Sequence, residues 1–211
     1  MVTAADRAFE LGARMMLARH RPWTLIALLG VLLAASLTEA RAAEPATEPA
    51  TEADPWSLCA EAIRAAERER GLPPHLLRAV ALAEAGRPHD ASKATVPWPW
   101  TVTAEGRGRF LPAKADAVAL VHELRERNVR NIDVGCMQVN LQYHPTAFAS
   151  LDEALDPAAN ASYAAGFLHG LFRDSGSWGN AVARYHASIY GRNLQYRGRV
   201  MRIWHGLRGR D

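Results

Sequence analysis

The sequence predicts a mainly α-helical domain with one small β-hairpin insertion. Alanine is abundant and β-branched residues are sparse among the 211 residues, which favours helix. Several segments repeat apolar residues at helical spacing, whereas residues 97–111, PWPWTVTAEGRGRFL, alternate in character around Glu105-Gly106. Such alternation around a turn is typical of a β-hairpin. The formal net charge of +3 is small and no dense basic run is present, so we expect no nucleic-acid partner.

The first 42 residues are predicted to be a signal peptide. Residues 19–21, RHR, precede an apolar run over residues 23–37, and an A-x-A pattern ends at Ala42. We therefore expect cleavage and a periplasmic protein, with an inner-membrane anchor formed by residues 23–37 as the alternative. Residues 43–54 repeat EPAT and have the composition of a Pro/Ala-rich linker. A single domain, expected to be monomeric, remains over residues 55–207.

Helix boundaries in this domain are predicted from caps, prolines and glycines. Asp54-Pro55 and Asp156-Pro157 each combine a capping residue with a first-turn proline, and Gly71 and Gly86 are expected to end helices as left-handed stops. The predicted helices cover about 55–70, the segment from Pro73-Pro74 to Gly86, about 115–128, a segment opening at Asp156, a segment capped by Ser177, and about 193–205.

Glu84 is the one carboxylate in an otherwise apolar stretch, AVALAEAG at residues 79–86. Steps of four residues lead from Leu76 through Val80 to Glu84, so its side chain shares the apolar face in the last turn of a helix. Burial and the negative end of the helix both favour the neutral, protonated form. A protonated carboxylic acid is what general acid catalysis needs. The alternative is a solvated glutamate at a frayed helix end.

The two cysteines, Cys59 and Cys136, both fall on predicted core faces. Export would permit a disulfide between them, and two unpaired buried residues are the alternative. Cys136 lies in GCMQVN, residues 135–140, where Gln138 and Asn140 offer donors and acceptors suited to the hydroxyl and acetamido groups of a sugar. Their alternative role is that of loop or capping amides.

Signatures of other chemistries are missing from the sequence. It contains no HExxH motif, CxxC pair, P-loop or GxSxG motif, so we expect no metal and no cofactor. His144 and His186 are interpreted first as packing or hydrogen-bonding groups.

Four features occur in a diagnostic order: Glu84, then GCMQVN at 135–140, then ARYHAS at 183–188, then YRGRV at 196–200. This order resembles the soluble-lytic-transglycosylase (SLT) domain over about residues 57–204. The hairpin before IDVGCMQVN is closer to the subgroup that resembles conjugation and secretion-system transglycosylases. Three positions depart from the family pattern: Ala85, His186 and Ser188 stand where the family has Ser, Asn and Gly.

The resemblance implies a lysozyme-like fold and peptidoglycan as substrate. Glu84 would be the sole acid/base, cleaving the MurNAc–GlcNAc β-1,4 bond to leave 1,6-anhydroMurNAc. The substrate-binding candidates are Met137, Gln138, Asn140, Tyr185, His186 and Tyr196, with Tyr185 expected to face and orient Glu84.

Two other functions stay open at this point. One is a hydrolytic muramidase on the same fold, in which Glu105 would position the water. The other is a non-catalytic peptidoglycan-binding module. The cellular role also stays open between general wall turnover and opening the wall for an envelope-spanning machine such as a flagellum, pilus or secretion system.

Overall fold

The computed structural model describes residues 54–186 and 192–209. The predicted signal peptide, residues 1–42, and all of the predicted linker except Asp54 lie outside the described residues. Among the residues described, no helix is both long and apolar enough to span a membrane.

Seven helices and six short strands form the described part of the chain. The helices are α1 Pro55–Arg70, α2 Leu76–Ala85, α3 Lys114–Glu126, α4 Leu151–Ala154, α5 Pro157–Ser175, α6 Trp178–His186 and α7 Arg192–Arg208. The strands are β1 Gly86–His89, β2 Ala94–Pro97, β3 Thr101–Ala104, β4 Arg107–Phe110, β5 Ile132–Val134 and β6 Val139–Asn140. The predicted mainly α fold with a small sheet is confirmed.

The strands form two antiparallel sheets. β1 and β2 make a two-stranded sheet, and the second sheet has the order β4-β3-β5-β6. The predicted hairpin is the β3–β4 pair. The prediction of a single hairpin was incomplete, because β1 and β2 form another antiparallel pair. Gly86 does not end α2 in a left-handed conformation: its φ of −64° and ψ of 121° are extended, and β1 begins there.

Capping groups fix the ends of the helices that carry the site. Asp54 Oδ1 accepts from the Trp56 backbone N–H at 3.1 Å, and Gly71 ends α1 with a φ of 64°. α2 is capped from a distance, since the buried Glu67 carboxylate accepts from the backbone N–H groups of His75 at 3.2 Å and Arg78 at 3.1 Å. These bonds satisfy donors that a helix start otherwise leaves unpaired.

Two hydrophobic clusters divide the domain into what we term the helical half and the sheet half. The helical half comprises α1, α2, α5, α6 and α7, with Ile63, Leu76 and Leu168 in its core. The sheet half comprises α3, α4 and the four-stranded sheet, with Val121 and Ile132 in its core. Burial of the apolar side chains in each cluster is the main force that holds each half together.

A disulfide between Cys59 and Cys136 joins α1 to the turn between β5 and β6. Both cysteines are fully buried in the core of the helical half. The disulfide therefore fixes the GCMQVN segment to the first helix.

Candidate active site

One groove of about 440 Å³ is lined by residues from both halves. The helical half contributes Glu84, Tyr163, Phe167, Tyr185 and His186. The sheet half and the segment after it contribute Thr103, Asn131, Asp133, Gln138, Val139, Asn140, Tyr143 and His144. Five of the seven residues expected at the site therefore meet in one groove.

Glu84 lies in the last turn of α2, where its side chain is 13% exposed. Leu76 and Val80, on the same face of the helix, are fully buried. Residues four apart share one face of a helix, so Glu84 follows these core residues on the same face and its carboxylate lies at the groove. Its Oε1 lies 3.5 Å from Nδ1 of His186.

His186, which contacts this acid, is the last residue of α6. The hydrogen bond to Glu84 raises the pKa of His186, burial lowers it, and the charge of Glu84 raises it again, while Arg199 lowers it. Its ring stacks on the ring of Tyr196, with centroids 4.4 Å apart and an interplanar angle of 10°. The stacking fixes the ring plane, so Nδ1 is held toward Glu84.

Gln138 is held by three hydrogen bonds within the sheet half. Its Nε2 donates to the carbonyl oxygens of Thr101 and Gly135, each at 3.2 Å, and its Oε1 accepts from the Thr103 hydroxyl. Its backbone has a φ of 49°, in the left-handed region. The amide plane is therefore fixed at the groove wall before any ligand binds.

The turn that precedes Gln138 is anchored by a fully buried amide, Asn160 of α5. Asn160 Oδ1 accepts from the Met137 backbone N–H at 2.9 Å, and its Nδ2 donates to Val134 O at 3.1 Å and Ala154 O at 2.9 Å. Gly135 passes directly beside it with a φ of 82°, and a Cβ there would lie 2.5 Å from Asn160 Nδ2. Only glycine fits this approach without strain.

Asn140 lines the groove but has no free hydrogen-bonding group for a sugar. Its Nδ2 donates to Asn131 Oδ1 at 2.6 Å and Asp133 Oδ1 at 2.8 Å. Its Oδ1 accepts from the backbone N–H groups of Gln142 and Tyr143, each at 3.0 Å. A side-chain amide offers two donors and two acceptor sites, and all four are used. Asn140 therefore holds neighbouring residues in place.

Three expectations about the motif residues need correction. Met137 does not line the groove: its side chain is fully buried, because the turn after Gly135 directs it into the core. Tyr196 is 4% exposed and lies beneath His186, so it too is not a wall of the groove. Tyr185 lines the groove, but its hydroxyl donates to Met137 O at 3.1 Å rather than to Glu84.

The hydroxyls of both tyrosines are affected by the acid nonetheless. Burial raises the pKa of Tyr185 and of Tyr196 well above the ordinary value, and the negative charge of Glu84 raises both further. Both side chains therefore stay neutral phenols. A hydrogen bond with Glu84 further raises the pKa of Tyr196, so the buried hydroxyl lies beside this carboxylate, although no partner within 3.5 Å is found for it among the described residues.

Sequence reasoning missed Asp133, the second carboxylate of the groove. Ile132 and Val134 on either side of it are fully buried in the sheet-half core, so the period of two in a strand turns Asp133 to the opposite face. Burial raises the pKa of Asp133, the hydrogen bond from Asn140 lowers it, the charge of Glu84 raises it and His186 lowers it. The alternation of apolar and polar residues in NIDVG was the sequence signal that could have placed Asp133 on the groove face of a strand.

An aromatic wall was also missed. Tyr163 and His144 are joined by a 2.8 Å contact between the hydroxyl and Nδ1, and the His144 ring packs edge-on against Phe167. Burial lowers the pKa of His144, which favours the neutral ring. Tyr143, 73% exposed, stands at the same groove. Exposed aromatic rings offer flat apolar surfaces against which other rings can pack.

Metal ligation has no candidate here: in the part of the chain that the structure describes, no group of three or more His, Cys, Asp or Glu side chains is arranged to hold an ion.

A small helical domain with a short sheet and a mostly buried glutamate in a groove of amides and aromatic rings has the features of a lysozyme-like domain. The family model described as Transglycosylase SLT domain matches residues 61–200, more than half of the chain. The chain therefore belongs to the SLT transglycosylase family, whose activity is of the lytic transglycosylase type and whose substrate is peptidoglycan. No curated protein and no solved structure shows significant similarity to the chain.

Proposed function

We propose that this protein is a periplasmic lytic transglycosylase that cleaves the MurNAc–GlcNAc β-1,4 bond and leaves 1,6-anhydroMurNAc ends. The observation that carries the proposal is the position of Glu84. It is 13% exposed in a groove lined by the amide of Gln138, in a chain of the SLT family. A carboxyl group in a sugar-sized groove can give a proton to a glycosidic oxygen and take one from a hydroxyl group.

In the first step, the Glu84 carboxylic acid donates its proton to the glycosidic oxygen. The bond between that oxygen and the anomeric carbon breaks, and the GlcNAc side leaves with a new hydroxyl. Positive charge develops on the muramoyl residue, assisted by its N-acetyl group as the family resemblance implies. General acid assistance of this kind typically contributes about 100-fold or more.

In the second step, the Glu84 carboxylate takes the proton of the muramoyl C6 hydroxyl. The C6 oxygen bonds to the anomeric carbon and closes the 1,6-anhydro ring. Glu84 ends protonated, as it began, and no water is consumed. A single residue therefore serves as acid and base, unlike in glycosidases that divide these roles between two carboxylates.

The groove walls supply the remaining requirements of this reaction. Gln138, fixed by Thr101, Gly135 and Thr103, keeps one acceptor site of its Oε1 for a sugar hydroxyl, and that site is preoriented. The rings of Tyr143, Tyr163 and Phe167 offer apolar surfaces for saccharide rings. Preorientation matters because the entropy of ordering these groups is then not lost at the moment of binding.

The hydrolytic alternative based on Glu105 has little support. Glu105 is exposed, both of its carboxylate oxygens accept from Nη2 of Arg127 at 3.2 and 3.1 Å, and it is not among the residues that line the groove. A carboxylate bound to an arginine elsewhere on the surface cannot position water against the glycosidic bond. The non-catalytic alternative is disfavoured by the retained acid, Glu84.

The experiment is mass spectrometry of muropeptides released from purified sacculi by the wild-type protein, Glu84→Gln and Glu105→Gln. We expect anhydro ends, lighter by one water than hydrolysed ends. Glu84→Gln should fold normally and lose at least about 100-fold in turnover, whereas Glu105→Gln should retain most activity. Reducing muramoyl ends as the main product would assign a muramidase, and an active Glu84→Gln protein would overturn the mechanism.

The periplasmic location rests on the sequence pattern of residues 1–42. The test is the intact mass of the protein recovered from the soluble periplasmic fraction and from the membrane fraction. A soluble species that begins after Ala42 would support cleavage, whereas a membrane-bound species that still includes residues 23–37 would support an anchor instead.

A further inference from the structure

Asp133 presents a free carboxylate oxygen to the groove. Its Oδ1 accepts from Asn140 Nδ2 at 2.8 Å. No hydrogen bond to its Oδ2 is found among the described residues, and Asp133 is one of the residues that line the groove. This oxygen is therefore available to a bound sugar.

The groove holds few charges around this carboxylate. Of the groups that line it, Glu84 of α2 carries the other acidic side chain, and His186 of α6 and His144 are the two that can become cationic. The charges of Glu84 and His186 both act on Asp133. A half-buried carboxylate costs desolvation free energy that an asparagine at the same position would avoid. A role that needs the charge would account for an aspartate rather than an asparagine at this position.

The chemistry of the groove provides such a role. When the glycosidic bond breaks, positive charge develops on the muramoyl residue, and a fixed negative charge in a partly desolvated groove lowers the energy of that state. Building on the proposed function, we propose that Asp133 is a catalytic residue whose ionised carboxylate stabilises the positive charge on the muramoyl residue while Glu84 protonates the leaving oxygen. Asp133 transfers no proton, so Glu84 remains the only acid and base.

A purely structural role is the competing explanation. Asp133 helps to hold Asn140, whose Oδ1 in turn accepts from the backbone of Gln142 and Tyr143. Asn131 provides the matched control, because its Oδ1 accepts from the same Asn140 Nδ2, at 2.6 Å, and it lines the same groove without a charge. If holding Asn140 is what matters, loss of either partner should have a similar effect.

The test measures kcat and KM on soluble uncrosslinked glycan strands for Asp133→Asn and Asn131→Ala. Asp133→Asn keeps an oxygen that can accept from Asn140 and removes only the charge. We expect kcat to fall by about 100-fold, as for other groups that stabilise developing charge, with KM nearly unchanged. Asn131→Ala removes a hydrogen bond of Asn140 without changing the charge of the groove, so its loss in kcat should be clearly smaller than that of Asp133→Asn.

A second variant tests the charge itself. In Asp133→Ala the side chain is absent, and added sodium formate supplies a small carboxylate that can enter the vacated space. Formate should increase the kcat of Asp133→Ala and leave that of Asn131→Ala unchanged. This rescue decides the question if Asp133→Asn does not fold, as judged by circular dichroism.

The outcomes separate this inference from the proposed function. A wild-type protein without turnover, or with reducing ends as its product, would refute the proposed function. Wild-type turnover with an equally active Asp133→Asn would refute only the role of Asp133. Equal losses in Asp133→Asn and Asn131→Ala, or an Asp133→Ala variant that formate does not rescue, would reduce Asp133 to a holder of Asn140.

Discussion

The two halves of the domain hold their groove residues in different ways. In the helical half, Glu84 is positioned by packing: Leu76 and Val80 are buried on the same face of α2, and the helix repeat fixes where the carboxylate points. In the sheet half, Gln138 is positioned by hydrogen bonds to Thr101, Gly135 and Thr103. Packing is distributed over many contacts, whereas each of these hydrogen bonds depends on one partner.

This difference predicts how each half responds to damage. Loss of one apolar contact in the helical half leaves the helix and its repeat in place. Loss of one contact in the turn at Gly135 would leave Gln138 without a fixed position, because the strands on either side are too short to hold it: β5 has three residues and β6 has two. Strands that short have little ladder of their own to hold a register.

The largest effect on stability is expected for Gly135→Ala. The new Cβ would lie 2.5 Å from Nδ2 of the buried Asn160, and the φ of 82° disfavours any residue other than glycine. We expect a loss of roughly 2 to 4 kcal/mol in the free energy of unfolding, measured by urea denaturation, from the clash and the backbone strain together.

Gly170→Ala is the matched control for that change. Gly170 lies inside α5, and a Cβ there would meet nothing within 4 Å. The substitution should raise stability by about 0.5 to 1 kcal/mol, because alanine loses less conformational entropy in a helix. If Gly135→Ala is no more destabilising than Gly170→Ala, the turn is not the vulnerable point that the contrast between the halves implies.

The same difference explains what the sequence could predict. The starts of α1 and α5 were predicted correctly, because Asp54-Pro55 and Asp156-Pro157 are local signals that tertiary contacts reinforce. The buried face of α2 was predicted from spacing alone, and Glu84 with it. A helix repeats its pattern often enough for the period to be read from the sequence.

The sheet half was predicted less well for physical reasons. Strands of two to four residues repeat the alternation of apolar and polar residues only once or twice, so the pair β5–β6 went unpredicted, as did the separate pair β1–β2. Membership of a motif also does not tell which way a side chain points. Met137 and Gln138 are neighbours in GCMQVN, yet the first is core and the second lines the groove.

A smaller effect is expected in the titration of His186. Glu84 is the main cause of its raised pKa, while burial and Arg199 act in the opposite direction. Glu84→Gln should therefore lower the pKa of His186, followed by NMR of the ring protons, and Asp133→Asn should lower it less because Asp133 is the weakest of the contributors. A pKa of His186 that does not move in Glu84→Gln would mean that the pair does not interact in solution.

The sign of the pH dependence follows from the direction of that shift. A histidine whose pKa is raised by folding stabilises the folded state below its unfolded pKa. That contribution is lost as the pH rises through the folded pKa of His186. The Glu84→Gln variant should therefore lose more stability relative to wild type on the acidic side of this range than on the alkaline side.

The smallest effect, and the sharpest comparison of packing with hydrogen bonding, comes from two tyrosines beside the acid. The Tyr196 hydroxyl is buried without a partner among the described residues, whereas the Tyr185 hydroxyl donates to Met137 O and so links α6 to the turn of the sheet half. Tyr196→Phe keeps the stack on His186 and removes an unpaired polar atom, so stability should stay equal or rise by up to about 1 kcal/mol. Tyr185→Phe leaves the Met137 carbonyl without that donor and should cost about 1 kcal/mol. Urea denaturation of both variants measures the difference. If Tyr196→Phe is instead the more damaging of the two, its hydroxyl has a partner in solution, and Glu84, whose charge acts on it, is the first candidate.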